Sequence, residues 1–185
     1  MKELSLNILD IAQNSIHAEA TLVRIILDED EETLKLGIMD DGRGMSESFL
    51  ATVTNPFSTT RTTRKVGMGL PLLKLAAEQT GGWMTVDSRE RALYPETHGT
   101  EVTALFFKNH LDFTPLGDVI STVVSLVQGS PEVDFYYLHT MPDRTVELDT
   151  REIREILGPE IPLSSPDVLV WIRATLEEQY SPGEE

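Results

Sequence analysis

The first residues of the chain carry a helical hydrophobic pattern. Large aliphatic side chains recur at near-helical spacing between residues 3 and 18, at Leu4, Ile8, Ile11 and Ile16. Side chains at this spacing share one face of an α-helix, because the helix has 3.6 residues per turn. The chain is therefore predicted to open with an amphipathic helix.

The next two segments alternate with the two-residue period of half-buried strands. Residues 21–27 place Val23, Ile25 and Leu27 on one side, and residues 34–38 repeat the alternation after an acidic turn at 28–32. Two alternating runs around a short polar turn predict a β-hairpin.

Capping and breaking residues divide the following stretch. Ser46 is expected to begin a short helix that runs to Val53, and residues 54–66 have no periodicity and are predicted to form a loop. Pro71 near the start and Gly81 just past the end bracket another helix. Strand-like runs at 83–89 and 100–108 follow. This order predicts an α/β (α+β) two-layer sandwich, with the helices on one face of a mixed β-sheet.

The pattern changes after Lys108. We expect a helix over 115–128, strands over 133–139 and 144–149, and helices over 150–157 and 166–180. The chain is thus predicted to contain a main domain over residues 1–108 and a small α+β extension over 109–185. Aliphatic residues in 116–127 and 168–176 would suit either a contact between two copies or internal packing, so the oligomeric state stays open.

Charge narrows the choice of partners. The chain has 31 acidic and 15 basic residues and a formal net charge of −16. Such a chain is repelled by nucleic acid and by anionic membrane surfaces, so neither is expected as a partner. It has no cysteine, which excludes disulfides and thiolate metal sites, and no apolar run approaches the roughly 18–20 residues that span a bilayer. We expect a soluble, cytoplasmic protein.

The first chemical signal lies on the opening helix. Asp10 and Asn14 are four residues apart and therefore point the same way. An Asn amide oxygen is a suitable ligand for Mg²⁺, and a carboxylate one turn earlier is placed to orient or deprotonate a water molecule. The same two residues would also suit an exposed polar stripe.

The second signal is the segment DDGRGM, in which a strand runs into a glycine-bearing turn. A carboxylate at the strand end, Asp40, is able to accept a hydrogen bond from the exocyclic amine of adenine, where guanine presents a carbonyl. Glycines at 42 and 44 would let the backbone approach a flat ligand closely. By itself, this segment would also be an ordinary turn.

The third signal is NPFSTTR followed by KVGMGLP. Gly67 and Gly69 lie where a loop enters a helix, and free amides at a helix N-terminus favour phosphate. Arg61, Arg64 and Lys65 make this loop cationic in an acidic chain. The fourth signal is a Gly-Thr pair, with Thr100 at the head of a strand. Its hydroxyl would brace Asp40 or reach the ligand, and a simple strand start is the alternative.

Together these ordered signals resemble the nucleotide-binding domain of the GHKL superfamily, which includes gyrase, heat-shock chaperones, sensor histidine kinases and mismatch-repair ATPases. The resemblance covers about residues 5–107, and the stretch PFSTTR–GMGLPLLKLAAEQTGG is most similar to the histidine-kinase branch. It implies a histidine kinase-like ATPase fold that binds ATP and Mg²⁺, with a short lid at 55–66.

The resemblance also assigns roles to single residues. Asn14 would ligate Mg²⁺, Asp40 would contact adenine and Thr100 would support the base. The turn and the helix entry would complete the site: Gly42, Gly44 and Met45 lining the base pocket, and Arg61, Gly67, Gly69 and Leu70 around the phosphates.

Departures from the family pattern bear on the activity. Hydrolysing relatives usually carry Glu where this chain has Asp10, so slow hydrolysis is expected at most. We expect no phosphoacceptor-histidine module in this chain, and no lysine occurs after Lys108 to reach a terminal phosphate. Three hypotheses follow: an ATP-dependent regulatory switch read by a protein partner, a protein kinase acting in trans on His or Ser as anti-sigma-factor kinases do, and a binding module with a degenerate pocket.

Overall fold

The structure is a computed structural model that describes residues 3–54 and 68–183. These residues form six helices and six strands. In chain order they are α1 (Leu4–His17), β1 (Leu22–Glu29), β2 (Thr33–Asp40), α2 (Glu47–Val53), α3 (Gly69–Gln79), β3 (Trp83–Arg89), β4 (Gly99–Phe107), α4 (Val119–Gly129), β5 (Asp134–Thr140), β6 (Thr145–Asp149), α5 (Thr150–Leu157) and α6 (Pro166–Tyr180).

All six strands belong to one mixed sheet in the order β3-β4-β2-β1-β5-β6. Four of the pairings are antiparallel, and β1 pairs with β5 in parallel. A parallel pair needs a crossover connection, and α4 supplies the helix of that connection. The predicted α+β fold with a mixed sheet is confirmed.

One face of the sheet carries the core. Alternate residues along the strands are buried on this face, and α1, α3, α4 and α6 form a contiguous layer against it. Hydrophobic burial is the main stabilising contribution in such a two-layer packing. The buried hydrophobic side chains of the strands are Val23, Ile25, Leu27, Leu34, Leu36, Ile38, Val102, Ala104, Phe106, Phe135, Tyr137, Val146 and Leu148.

The first turn of α1 is completed by the C-terminal part of the chain. Glu3 precedes the helix and offers it no side-chain cap. Instead, the amides of Leu4 and Ser5 donate hydrogen bonds of 2.9 and 2.8 Å to the carbonyls of Pro115 and Leu116. Free amides at a helix start need such partners. Because residues 115 and 116 are used this way, α4 begins later than the sequence pattern predicts.

The outer edge of β6 is covered by a side chain. The amide of Gln179 on α6 accepts a hydrogen bond of 2.8 Å from Glu147 N and donates one of 3.1 Å to Glu147 O. It therefore occupies the positions that a neighbouring strand would take, which protects the edge from pairing with another chain.

A buried polar network joins the C-terminal helix to the end of β1. His139 is 2% exposed, and its Nε2 lies 2.9 Å from Glu29 Oε2 while its Nδ1 lies 2.7 Å from Tyr180 Oη. Tyr137 Oη lies 2.5 Å from Tyr180 Oη, and Lys108 pairs with Glu29 at 2.7 Å. Burial lowers the pKa of His139 more than Glu29 raises it. The neutral ring therefore donates from Nε2 and accepts from Tyr180, which in turn accepts from Tyr137.

Most predicted elements agree with the structure. Ser46 caps α2 by accepting from Phe49 N, as expected from its position. The strands and the last two helices begin and end within a residue or two of their predicted bounds. The boundary at residue 108 stays a prediction, although β5 and β6 extend the same sheet as β1. Every helix within the described ranges is too short or too polar to cross a lipid bilayer.

Candidate functional site

A cavity of about 280 Å³ opens where α1, the ends of β2 and β4 and the start of α3 meet. Small-molecule sites typically measure about 300–1,000 Å³, so this cavity suits one ring system and its immediate substituents. Its walls are mainly apolar, with a few polar groups among them. The lining residues are Ile11, Asn14, Ser15, His17, Ala18, Ile38, Asp40, Arg43, Gly44, Met45, Ser46, Phe49, Leu70, Thr100 and Val102.

Asp40 is the acidic residue of this cavity. It ends β2, and its Oδ2 accepts a hydrogen bond of 2.6 Å from Ser15 Oγ while its Oδ1 accepts one of 2.9 Å from Gly42 N. Burial raises the pKa of Asp40 above its ordinary value, and the hydrogen bonds from Ser15, Gly42 and the Thr100 backbone oppose that rise. A partly buried carboxylate held on both oxygens is a directed acceptor for a ligand N–H.

The neighbouring carboxylate, Asp41, has a structural role. It accepts hydrogen bonds from Thr21 N at 2.7 Å and Leu22 N at 3.0 Å, and from the Thr21 hydroxyl. Burial alone would raise the pKa of Asp41, but these bonds hold it below its ordinary value. The two adjacent acids therefore have different functions, and Asp40 is the one that faces the cavity.

The turn after Asp41 is possible only with glycine at two positions. Gly44 has φ = +69°, and a Cβ on it would lie 2.0 Å from Arg89 O. A Cβ on Gly42 would lie 2.8 Å from Ala18 O. The missing side chains let the turn pack against its neighbours. Gly44 and Met45 line the cavity, whereas Gly42 is buried behind it and bonds to Asp40.

Ser88 supports the opposite wall of the cavity, and no pattern in the sequence pointed to it. Its Oγ accepts a hydrogen bond of 2.8 Å from Met45 N and lies 2.8 Å from Thr100 Oγ1. Thr100 pairs with Asp40 in the β2–β4 ladder and lines the cavity. Its hydroxyl contacts Ser88, so Thr100 acts on Asp40 through the backbone.

The structure separates the two polar residues predicted on α1. Asn14 is half-buried and lines the cavity, and the exposed His17 lies at its mouth. Asp10 is exposed and lies outside the lining, next to the start of α3: a Cβ on Gly69 would be 3.2 Å from Asp10 Cβ. Leu70 lies in the lining.

Two predicted site residues, Arg61 and Gly67, lie outside the described residues, as does the segment 55–66 that was predicted as a lid. Besides Ser88, the residues that sequence reasoning missed are Ser15 and Arg43. Ser15 directly follows Asn14 on a helix, and its contact with Asp40 depends on how α1 packs on the sheet. Arg43 is exposed at the mouth and has no ion pair with any described residue.

The arrangement suits a flat heteroaromatic ring with an exocyclic amine. The apolar walls formed by Ile38, Val102 and Leu70 would cover the ring faces, while Asp40 would accept from the amine. Asn14 and Leu70, which lies in the first turn of α3, both line the cavity, so an amide oxygen and the positive end of a helix are part of its wall.

Comparison with known families gives one match. The family described as "Histidine kinase-, DNA gyrase B-, and HSP90-like ATPase" matches residues 1–111, which is more than half of the chain. No match was found among curated proteins.

Several solved structures align with the chain at low sequence identity. The N-terminal domain of a DNA repair protein aligns with a TM-score of 0.55 and 15% identity, over 85% of this chain and 57% of that one. The Aquifex aeolicus MutL ATPase domain complexed with ADP aligns with a TM-score of 0.49 and 14% identity, over 85% and 69%. The catalytic domain of histidine kinase ThkA gives 0.40 and 21%, over 56% and 64%. The chain thus spans under two thirds of the DNA repair domain's length.

Proposed function

The chain belongs to the family of histidine kinase-, DNA gyrase B- and HSP90-like ATPases, and from this premise we propose that it is a Mg²⁺–ATP-binding regulatory protein. The nucleotide state would control how it contacts a protein partner. The observation that carries this proposal is the cavity at the end of β2, where one partly buried carboxylate, that of Asp40, lies among apolar walls.

Adenine is the base that this cavity would select. Asp40 offers only acceptor atoms when ionised, and both of its oxygens are oriented by protein donors. The exocyclic amine of adenine would complete its bonding, whereas the carbonyl of guanine would face it with a repulsive contact. Met45, Leu70 and Thr100 would line the base and ribose.

Mg²⁺ fits the polar side of the cavity. Asn14 would offer a neutral amide oxygen there, and Mg²⁺ is commonly bound by one or two protein oxygens together with phosphates and water. Bound there, the cation would neutralise phosphate charge in an otherwise acidic protein. Asp10 would hold a water molecule near Gly69, and Arg61 and Gly67, which lie outside the described residues, would contact the phosphates.

A regulatory role is supported by the way α1 is attached. This helix carries Asn14 near its C-terminal end, and its N-terminal amides bond to residues 115 and 116. A displacement of α1 on nucleotide binding would therefore act directly on the C-terminal part of the chain. Such a role would suit a cytoplasmic protein, because ATP is available in the cytoplasm.

The alternative function is a protein kinase that acts in trans on His or Ser, of the anti-sigma-factor kinase type. The observation that favours it is the exposed cation Arg43 in the cavity lining, which would hold a phosphate group next to a second protein. Phosphate transfer would then need a hydroxyl or imidazole supplied by that protein.

Calorimetry and a labelled-phosphate assay would test these functions in sequence. The full chain is titrated with a non-hydrolysable ATP analogue, with and without magnesium, and binding that requires magnesium is expected. The absence of binding under both conditions would contradict the proposal. Incubation with γ-labelled ATP and co-purifying proteins then separates the two functions: label on a partner supports the kinase, and a conformational response without label supports the switch.

A further inference from the structure

His98 contacts the glycine turn from the opposite side of the cavity wall. It is the half-buried residue directly before β4, and its Nδ1 lies 2.6 Å from Gly42 O. A carbonyl oxygen only accepts, so the ring donates and Nδ1 carries the proton. His98 does not itself line the cavity.

This hydrogen bond completes the bonding of a single peptide unit. The peptide between Gly42 and Arg43 is held at its oxygen by His98 and at its nitrogen by Ala18, since Arg43 N donates to Ala18 O at 2.8 Å. With both polar groups bound, the plane of this peptide is fixed. Removing the imidazole would leave only one of the two restraints.

The residue that begins this fixed peptide, Gly42, also contacts Asp40. Gly42 N donates to Asp40 Oδ1 at 2.9 Å, so the orientation of the glycine determines where one carboxylate oxygen points. On its other side the same peptide leads to Gly44 and Met45, which line the cavity. A rotation at Gly42 would therefore move both the acceptor and the backbone wall of the site.

We propose that His98 is a positioning residue for base recognition, which fixes Asp40 and the wall at 44–45 through the Gly42 peptide. This inference rests on the proposed binding of ATP in the cavity. His98 acts through the protein backbone and not by contact with the nucleotide. It therefore sets both affinity and the preference for an amine over a carbonyl at the base edge.

Two replacements of similar polarity separate this role from general packing. The Nδ2 of Asn, like the imidazole Nδ1, is attached to Cγ, so His98→Asn retains a donor near the required place. In His98→Gln the donor is one bond further out, as Nε2 is in the imidazole. Calorimetry with Mg²⁺–ATP and Mg²⁺–ITP would be run on both variants, on His98→Ala, and on the control His110→Ala, which changes an exposed histidine.

The expected results are specific to each variant. His98→Ala should bind ATP about 10-fold more weakly, which is the loss of roughly one hydrogen bond, with a smaller ratio of ATP to ITP affinity. His98→Asn should recover most of the ATP affinity and of the preference for ATP over ITP, whereas His98→Gln should recover neither. His110→Ala should match the original protein in both measurements.

Two outcomes would overturn the inference, and they are distinguishable. If the unaltered chain binds ATP but Asn and Gln at position 98 give equal affinity and equal base preference, His98 has no positioning role even where His98→Ala fails to fold. If the unaltered chain binds neither nucleotide, the proposed function fails, and the inference fails with it.

Discussion

Ser15 donates a hydrogen bond of 2.6 Å to Asp40 Oδ2, and this bond ties the helix that carries Asn14 to the strand that ends in the cavity. Ser15 is 4% exposed and directly follows Asn14 on α1. The base side and the cation side of the proposed site are therefore joined by adjacent residues of one helix.

Replacing Ser15 by Ala should weaken ATP binding without unfolding the protein. A hydrogen bond to a charged group contributes about 1.5–3 kcal/mol, so an affinity loss on the order of 10- to 100-fold is expected in calorimetry. Ser125→Ala, which alters an exposed serine on α4, is the matched control. Unchanged affinity in Ser15→Ala would show that Asp40 needs no orientation from α1.

Asp40→Asn should weaken ATP binding and stabilise the nucleotide-free protein. Burial raises the pKa of Asp40 in the folded state, so the folded chain binds this proton more tightly than the unfolded chain does. Stability is therefore lost as the pH rises from the ordinary value of 3.8 through the raised pKa. Asparagine avoids this loss and retains the bonding, since it can donate to Ser15 while Ser15 donates to Ile11 O.

The expected gain in melting temperature is about 2–4 °C at pH 7–8, the size of a 1 kcal/mol effect in a chain of this length. It should shrink as the pH falls towards the ordinary carboxyl value. Thermal unfolding of both proteins between pH 4 and 8 measures it. A gain that grows towards acid pH would contradict the buried, ionised state of Asp40.

His139→Gln should change the acid sensitivity of the whole chain. Burial lowers the pKa of His139 below its ordinary value of 6.5, so the unfolded chain takes up this proton first. Stability is then lost as the pH falls through 6.5 towards the folded-state pKa. Glutamine retains a donor for Glu29 but removes the acceptor for Tyr180.

At pH 7.5 we expect His139→Gln to be about 1–3 kcal/mol less stable than the original chain, because Tyr180 loses a buried partner. The difference should narrow by pH 5.5, since the variant has no imidazole to protonate. Chemical unfolding at the two pH values tests this, with the exposed His110→Gln as control. A constant difference would mean that the pKa of His139 is the same in the folded and the unfolded chain.

Two glycine substitutions should have opposite effects. Gly44→Ala forces a side chain onto a residue at φ = +69° and into Arg89 O, so a destabilisation of several kcal/mol or a failure to fold is expected. Gly129→Ala, at the end of α4, meets nothing within 4 Å and should be neutral or stabilise by up to about 1 kcal/mol. Melting temperatures compare the two. Equal effects would show that the turn tolerates a side chain.

Gln179→Ala should uncover the edge of β6. Two hydrogen bonds to Glu147 are lost, which costs about 1–2 kcal/mol in total, and the bare edge becomes available to other chains. Unfolding and light scattering measure the two effects, with the neighbouring exposed residue changed in Glu178→Ala as control. Equal aggregation of the two variants would argue against edge protection.

Local patterns in the sequence were sufficient to predict most helices and strands and part of the cavity lining. The last helix, α6, spans Pro166–Tyr180 as predicted, and the alternation in β1 and β2 predicted their buried faces because side chains in strands alternate. The same alternation says nothing about neighbours in the sheet. The parallel pairing of β5 with β1 therefore required the structure.

Two of the missed residues, Ser15 and Ser88, share one property: their hydrogen-bond partners are distant in sequence. Ser88 belongs to a strand with no unusual composition, and it became informative only when the sheet placed it beside Met45 and Thr100. The buried network of His139 and Glu29 likewise depends on the pairing of β1 with β5. Spacing along the chain cannot reveal contacts that the topology creates.

The position of β1 between β2 and β5 has a consequence for fragments of this protein. A polypeptide cut after residue 111, where the family match ends, would lack β5. It would leave β1 as an unpaired hydrophobic edge strand and the first amides of α1 without acceptors. Such a fragment is expected to aggregate through this edge strand before it binds any nucleotide. The intact chain should instead unfold in one cooperative transition. A ligand in the cavity would then stabilise the whole chain, so it should slow proteolysis even at α6, at the far side of the sheet.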